Sequence, residues 1–464
     1  MAFHLQQDQR RVAVIAGVIG NVVEWYDFAL YGFLASVFSG VFFAGDNPLV
    51  TLIATYGVFA VGFIMRPLGS VVFGWLGDTI GRSHTLVLSV AMMALPTMIL
   101  GLLPSYAMVG VAAPILLLLV RVVQGLSVGG EFSASVTYLV ETAPPDQRGL
   151  AGSWANIGSI GGMLLGSGAA AATVNLFPPD MLQTWGWRVP FLLGGILGGV
   201  GLLLRRGLPE SSQFQRHEEA RCPQTPIREA FSCNRAEMFQ GVLVASGYGA
   251  LFYLVTVYLP TWINETSGLA LSTAMTINTL TLALLLPLIP LSGWVSDRWI
   301  RRTRLLAAAF VLLGVAGVSF LFWMVGGTLS AFVWGQLLLG LLLSVVLGVE
   351  PALFTELFPE EDRLTGYSIV YNAGLGVVGG VTPMLASWLI LVTGSPLAPA
   401  ALFAVMAAVG VLGLRWMRDG SREPLPTSCR TSVHEAFVAL DEQTARERTP
   451  AAATGVRARV RAGS

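Results

Sequence analysis

The chain has no lysine, only three cysteines and four histidines, and few charges of any kind: 12% of its 464 residues are Asp, Glu, Lys or Arg. Each scarcity excludes something. All 27 basic residues are arginine and they balance 27 acids, so no basic excess argues for nucleic acid. Cys222, Cys233 and Cys429 fall in polar segments expected on the cytoplasmic side, which excludes a disulfide framework. His4, His84, His217 and His434 lie outside the apolar runs. No zinc, heme or P-loop pattern is present, so neither a metal nor a cofactor is expected. A chain 54% hydrophobic with a mean hydropathy of +0.69 is too apolar for an ordinary soluble protein, and it reads as an integral membrane protein. Apolar runs of about 20 residues recur throughout, the length a helix needs to cross a bilayer, whereas the short alternating segments of a β-barrel are not seen. The opening "MAFHLQQDQRR" leads into a run too long for a cleavable leader, so the first span is expected to stay in the protein.

Breaks at charged, Pro-rich and Gly-rich positions predict an all-α polytopic protein of twelve spans. These lie near 12–42, 50–76, 85–103, 111–140, 150–176 and 188–204, then 238–261, 272–295, 304–326, 330–357, 366–393 and 398–417. The organisation is a six-helix half (1–204), a cytoplasmic central loop (205–237), a second six-helix half (238–417) and a polar tail (418–464) expected to be disordered. With both termini inside, every arginine except Arg66, Arg121 and Arg188 falls on the cytoplasmic side, as the positive-inside rule requires.

The halves repeat each other. "GWLGDTIGR" after span 2, with Gly74 and Asp78, is matched at one shared offset by "GWVSDRWIRR" after span 8, with Gly293 and Asp297. Glu141, Pro144 and Arg148 after span 4 recur with identical spacing as Glu356, Pro359 and Arg363 after span 10. A six-span unit duplicated in parallel belongs to transporters whose site lies midway through the membrane, between the halves. These motifs resemble the major facilitator superfamily over essentially the whole chain except the tail. Gly74, Asp78, Gly81 and Arg82 match its loop between spans 2 and 3, and Thr79 and Ser83 depart from it. The second copy keeps Asp297, Arg298, Arg301 and Arg302 but has Ile300 where glycine is expected. "GNVVEWYDF", "FIMRPLGSVVFG", "RVVQGLSVGGEF" and "WGWRVPF" further resemble the metabolite:proton symporter family.

Span 1 carries acids where lipid would be. Asn21, Glu24, Asp27 or Phe28, and Tyr31 recur at helical spacing and form one polar stripe. At ~1.5 Å per residue from Arg11, Glu24 sits roughly 20 Å deep, where a carboxylate must face a cavity or a partner. Arg121, Gln124, Ser127 or Val128, and Glu131 share a face of span 4, and the arginine fork suits a carboxylate. The resemblance implies that spans 1, 4, 7 and 10 line the cavity, which adds Tyr248 and Tyr258 from span 7 and Gln336, Ser344 and Glu350 from span 10. The substrate-binding candidates are therefore Arg121, Gln124, Asn21, Tyr31, Tyr248, Tyr258 and Gln336. Asp27, Glu24 and Glu131 are the proton-coupling candidates, with Asp27 favoured. The competing reading makes Glu24 or Asp27 a fixed ion pair with Arg121 or Arg66, and Arg66 a gate or packing residue. The resemblance also implies gating roles for Asp78 and Arg82 and, in the second half, for Asp297 and Arg301. Glu141 with Arg148, and Glu356 with Arg363, are expected to form matching latches.

"GLSVG" and "GLGVVG" match hydrolase and dinucleotide patterns but lie inside spans 4 and 11, without the strands those motifs need. No enzyme is expected. The expectation is a monomeric proton-coupled symporter in a bacterial inner membrane, importing a small metabolite by alternating access, and the fixed positive charge of Arg121 implies that the metabolite bears a carboxylate. "LYGFLASVFSGVFF" and "GSWANIGSIGGMLLGSG" resemble the proline/betaine branch, whereas "TVYLPTW", "TELFPEEDRLTGYS" and "GGVTP" resemble the citrate branch, so a zwitterion and a di- or tricarboxylate such as citrate or 2-oxoglutarate both stand. The alternative is a proton-driven exporter of a drug or metabolite.

Overall fold

The computed structural model describes residues 21–80, 82–128, 131–205, 234–360 and 362–426, and among the described residues there are helices and no strands. Helix α1 runs over residues 21–33 and, past a distorted turn at Leu34, through Ala35–Phe42. The Leu34 and Phe38 amides still donate to carbonyls four residues back, at 3.0 and 2.9 Å, so the rod continues through the turn. Helix α2 is Pro48–Ile80, α3 is Arg82–Leu102, α4 is Ala112–Ser127 continued by Glu131–Glu141, α5 is Arg148–Leu176 and α6 is Arg188–Arg205. In the second half α7 is Arg235–Tyr253, widened to a π-helix over Leu254–Tyr258 and completed by Leu259–Ser267. Helix α8 is Leu271–Arg298, α9 is Arg302–Met324 and α10 is Leu329–Leu357. Helix α11 comprises Arg363–Tyr371, a π-helical stretch Asn372–Gly379 and Gly380–Thr393, and α12 is Ala400–Leu414.

Eight of these helices are long and apolar enough to cross a membrane, and the bent pair Pro179–Gly186 and Arg188–Leu203 makes a ninth. Helix α1 and the shorter apolar stretches Val87–Leu102 and Ala400–Leu414 complete twelve. Boundaries fall near those expected, with one larger difference. Helix α7 continues to Ser267 because Pro260, which has no amide to donate, sits in the first turn of the segment after the π-helical stretch.

The sequence repeat reappears as a packing repeat. Helix α2 lies against α4 as α8 lies against α10, and α3 against α6 as α9 against α12. The halves meet along α5 with α8 and α2 with α11, the two equivalent seams of a duplicated unit. Close approach is needed where α2 crosses α4. A Cβ on Gly125 would stand 2.1 Å from the Gly62 carbonyl oxygen, and one on Gly69 would stand 2.1 Å from that of Leu126. Only glycine permits that crossing, and it brings Arg66 and Arg121 to the same ring, Phe28, at 4.5 and 5.7 Å.

Candidate functional site

The two acids of α1 answer to two arginines. Asp27 accepts hydrogen bonds from Arg121 Nη1 at 2.7 Å and from the Thr97 hydroxyl at 2.8 Å, and Gln124 Nε2 donates to Thr97 at 3.0 Å. One turn earlier, Glu24 lies 3.2 Å from Arg66 Nη2. All four ionic side chains are almost completely buried. The repulsion expected between carboxylates one turn apart is thereby relieved, because each faces its own counter-charge. Asp27 with Arg121 and Glu24 with Arg66 are pairs of the kind that the competing reading names.

Aromatic rings close around the cations. The Arg121 guanidinium stands 4.0 Å from the Tyr31 ring centroid, and Arg66 stands 4.3 Å from Phe63 and 5.6 Å from Trp25. Tyr31 donates its hydroxyl to the Thr55 carbonyl at 3.0 Å, so it offers the site a face rather than a hydrogen bond.

Several buried polar atoms here have no hydrogen-bond partner: Arg121 Nε and Nη2, Arg66 Nε, both amide atoms of Asn21, Gln124 Oε1 and the hydroxyls of Tyr253 and Tyr371. Buried polar groups are ordinarily satisfied, so these donors and acceptors are free to engage a polar partner. Tyr253 and Tyr371 come from α7 and α11, and each immediately precedes a π-helical stretch. The extra residue per turn re-aims the side chain next to it, a common device at functional sites. Tyr253 packs edge-on against Phe63 with centroids 5.1 Å apart, across the contact between the halves.

The remaining candidates are placed elsewhere. Tyr248 is buried with its ring edge on Phe252. Gln336 donates to Asn278 Oδ1 at 2.8 Å, tying α10 to α8. Tyr258 lines a cavity of about 420 Å³ with Asn47, Thr261, Trp262 and Glu265, at the end of the molecule opposite the arginine-rich face. There the Tyr56 hydroxyl donates to Thr261 at 3.0 Å and joins the halves. The side chains of Glu131, Asp78 and Arg82 lie outside the described residues. Sequence reasoning missed Thr97, Tyr253 and Tyr371. Thr97 is legible only as a lone hydroxyl after Pro96 in an apolar run, and nothing local marks the two tyrosines.

At the arginine-rich end the latches are crossed. Glu141 pairs not with Arg148 but with Arg363 of the other half, at 2.5 Å, and Glu356 pairs not with Arg363 but with Arg148, at 3.6 Å. The reason is that the second segment of α4 packs against α10 and α11, which carries its last residue to the start of α11. Arg301, an expected gate residue, is exposed, and its neighbour Arg302 is the buried bridge, 3.0 Å from Asp297 and 3.1 Å from Glu356. Asp297 also accepts from the Gly149 and Leu150 amides at 2.7 and 2.9 Å, so it caps α5 from across the seam. A Cβ on Gly149 would stand 2.5 Å from the Gly293 carbonyl oxygen, which is why glycine is needed there.

The start of the tail corrects an expectation. Residues 418–426 are docked rather than disordered, because the latch arginines have donors to spare. Arg148 donates to the Glu423 carbonyl and Arg363 to the Pro426 carbonyl, both at 2.8 Å. Asp419 accepts from the Thr303 amide and hydroxyl at 2.9 and 2.8 Å. Residues 427–464 and the central loop over 206–233 lie outside the described residues.

Known proteins share this fold. A family profile described as "Sugar (and other) transporter" matches residues 12–225, and one described as "Major Facilitator Superfamily" matches residues 268–448. The chain is 31% identical to the proline/betaine transporter of Salmonella typhimurium, over 93% of this chain and 88% of that one. It is 32% identical to the glycine betaine/proline/ectoine/pipecolic acid transporter OusA of Dickeya dadantii, with the same coverage. Among solved structures it is similar to a D-xylose-proton symporter, with a TM-score of 0.72 at 17% identity, covering 89% of this chain and 98% of that one. The inward-open xylose transporter XylE from E. coli gives a TM-score of 0.70 at 16% identity, covering 89% and 97%.

Proposed function

The chain belongs to the major facilitator superfamily, a family of transporters rather than enzymes, and we propose that it is a proton-coupled symporter bringing a small zwitterion into a bacterial cell. The solute is of the amino-acid or betaine kind, in keeping with the names of the relatives. The protein works as a monomer in the inner membrane, with its arginine-rich face to the cytoplasm. The observation that carries the reading is the half-used fork of Arg121: Nη1 is on Asp27, while Nε and Nη2 are buried and unspent.

A proton arriving at Asp27 removes the counter-charge of Arg121. The guanidinium can then take the solute's carboxylate in bidentate fashion. The cationic end of the solute competes with Arg66 for Glu24 and for the faces of Trp25, Phe28 and Phe63, on which Arg66 rests here. Protonation of one acid frees one positive charge, which matches the single carboxylate of a zwitterion. A di- or tricarboxylate would bring more negative charge than the site releases. Carrying one net charge through 100 mV is worth ~2.3 kcal/mol, enough for substantial accumulation.

The test is uptake of labelled proline, glycine betaine, 2-oxoglutarate, citrate and shikimate into proteoliposomes, acid outside, with and without an uncoupler. We expect uncoupler-sensitive accumulation of proline or glycine betaine. Accumulation of citrate without either zwitterion, or efflux alone, refutes the proposal.

A further inference from the structure

A second buried acid has no part in the scheme above. Glu350 sits on α10 two turns before its end at Leu357, fully buried. One carboxyl oxygen accepts from Asn156 Nδ2 of α5 at 3.1 Å, and the other lies 3.4 Å from the Tyr367 hydroxyl of α11. Asn156 also donates to the Leu347 carbonyl at 2.7 Å, which fixes its amide in place. The titratable groups facing the carboxyl are the hydroxyls of Tyr248 on α7 and of Tyr367 and Tyr371 on α11. Helices α4, α8 and α9 also pack on α10, and among the described residues they bring no charged group to the Glu350 carboxyl. Glu24, Asp27, Glu141 and Glu356 each have an arginine, but among the described residues Glu350 has no cation within ion-pair distance.

An ionised carboxylate without a counter-charge is costly in a dry membrane interior, so the arrangement suits the neutral acid. Neutral Glu350 accepts from Asn156 on one oxygen and meets the Tyr367 hydroxyl with the other, so its polar atoms are engaged without a buried charge. The contact also spans the molecule: Asn156 belongs to the first half, and Glu350 and Tyr367 belong to the second. Separation of the halves at the latched face takes Asn156 away and admits water within two turns of the end of α10.

We propose that Glu350 is a second proton-binding site, one that keeps its proton while the halves are closed at the cytoplasmic face and releases it to the cytoplasm when they part. This rests on the symporter reading. Proton loss then favours the open, hydrated state, and closing the halves, which takes water from a carboxyl with no counter-charge, requires a proton to be taken up again.

The experiment is solute counterflow in proteoliposomes at fixed external pH and varied internal pH. Wild-type protein must first show pH-driven accumulation; if it does not, the symporter reading fails on its own account. We expect the wild-type rate to depend on internal pH, E350Q to exchange solute with that dependence lost, and E350D to recover it with a displaced midpoint. E350Q with the wild-type internal-pH profile overturns the proposal, and so does an E350D variant as flat as E350Q, which would make the role structural. Where E350Q fails to fold, infrared spectra of the wild type and E350D decide. A protonated-carboxyl band at neutral pH that weakens as the pH is raised and shifts in E350D supports the proposal, and a spectrum identical in wild type and E350D overturns it.

Discussion

Arg121 meets Asp27 with one nitrogen and keeps two for something else, and that division makes its replacement informative. Arg121→Lys preserves the charge but gives up the planar fork, so solute affinity should fall by tenfold or more, about 1.4 kcal/mol or above, in equilibrium binding to detergent-solubilised protein. An unchanged affinity would take the arginine out of the solute site. Asp27→Asn leaves a buried cation short of its partner, a defect of about 3–5 kcal/mol in buried pairs. The solute's carboxylate supplies that partner in the variant. The thermal shift produced by solute should therefore be larger for Asp27→Asn than for wild type, while exchange persists and pH-driven accumulation is lost. The same gain in Glu24→Gln, with coupling intact in Asp27→Asn, would move the coupling role to Glu24. The sequence displays the stripe on α1 and both arginines, because helical periodicity puts polar residues on a face. It does not say which acid meets which arginine. That choice is made by the glycine-dependent crossing of α2 and α4, which no local signal reports.

At the scale of single elements, the spans were legible because about 20 apolar residues are a physical requirement of the bilayer. The π-helical stretches of α7 and α11 were not. They depend on how Tyr253 and Tyr371 pack between the halves, and their sequences, "LVTVY" and "NAGLGVVG", suit an ordinary helix equally well. The capping of α5 by Asp297 is another element-scale feature, assembled from residues far apart in sequence. Asp297→Ala should cost about 1 kcal/mol, the usual worth of a helix cap, and only in the state closed at this face. In a background without the native cysteines, a Ser153→Cys reporter should then react faster with a membrane-impermeant thiol reagent on the cytoplasmic side. An unchanged labelling rate would mean that the cap does not bias the opening.

For the whole molecule, the latches show what internal spacing cannot settle. Glu141 to Arg148 and Glu356 to Arg363 have the same separation, which fits pairing within a half as well as pairing between halves; only the packed halves distinguish them. Exchange of the charges tests this directly. E141R alone should weaken the closed state, and E141R with R363E should restore transport, whereas E141R with R148E should not. The docked tail adds to the closure. Burial pushes the Asp419 carboxyl up, but hydrogen bonds from Ser421 and Thr303 outweigh it and hold the group below the usual carboxylate range. A carboxyl lowered on docking favours the docked form above its undocked pKa and loses that advantage as the pH falls through the docked value. The tail should therefore stay docked throughout the neutral range. Deletion after Met417 should raise the open fraction at any neutral pH, read by the same thiol reporter.

The crossed latches have one more consequence. A contact in which the acid of each half holds the arginine of the other is the pattern of an isologous interface, the kind two identical chains make about a two-fold axis. The pairings on α5 with α8 and on α2 with α11 obey the same operator. Pairing of the halves then does not require that they be covalently linked. Residues 1–219 and 220–464, produced in one cell as two separate polypeptides, should find each other and transport as a split protein. Either piece alone, with its latch residues unpartnered, should not.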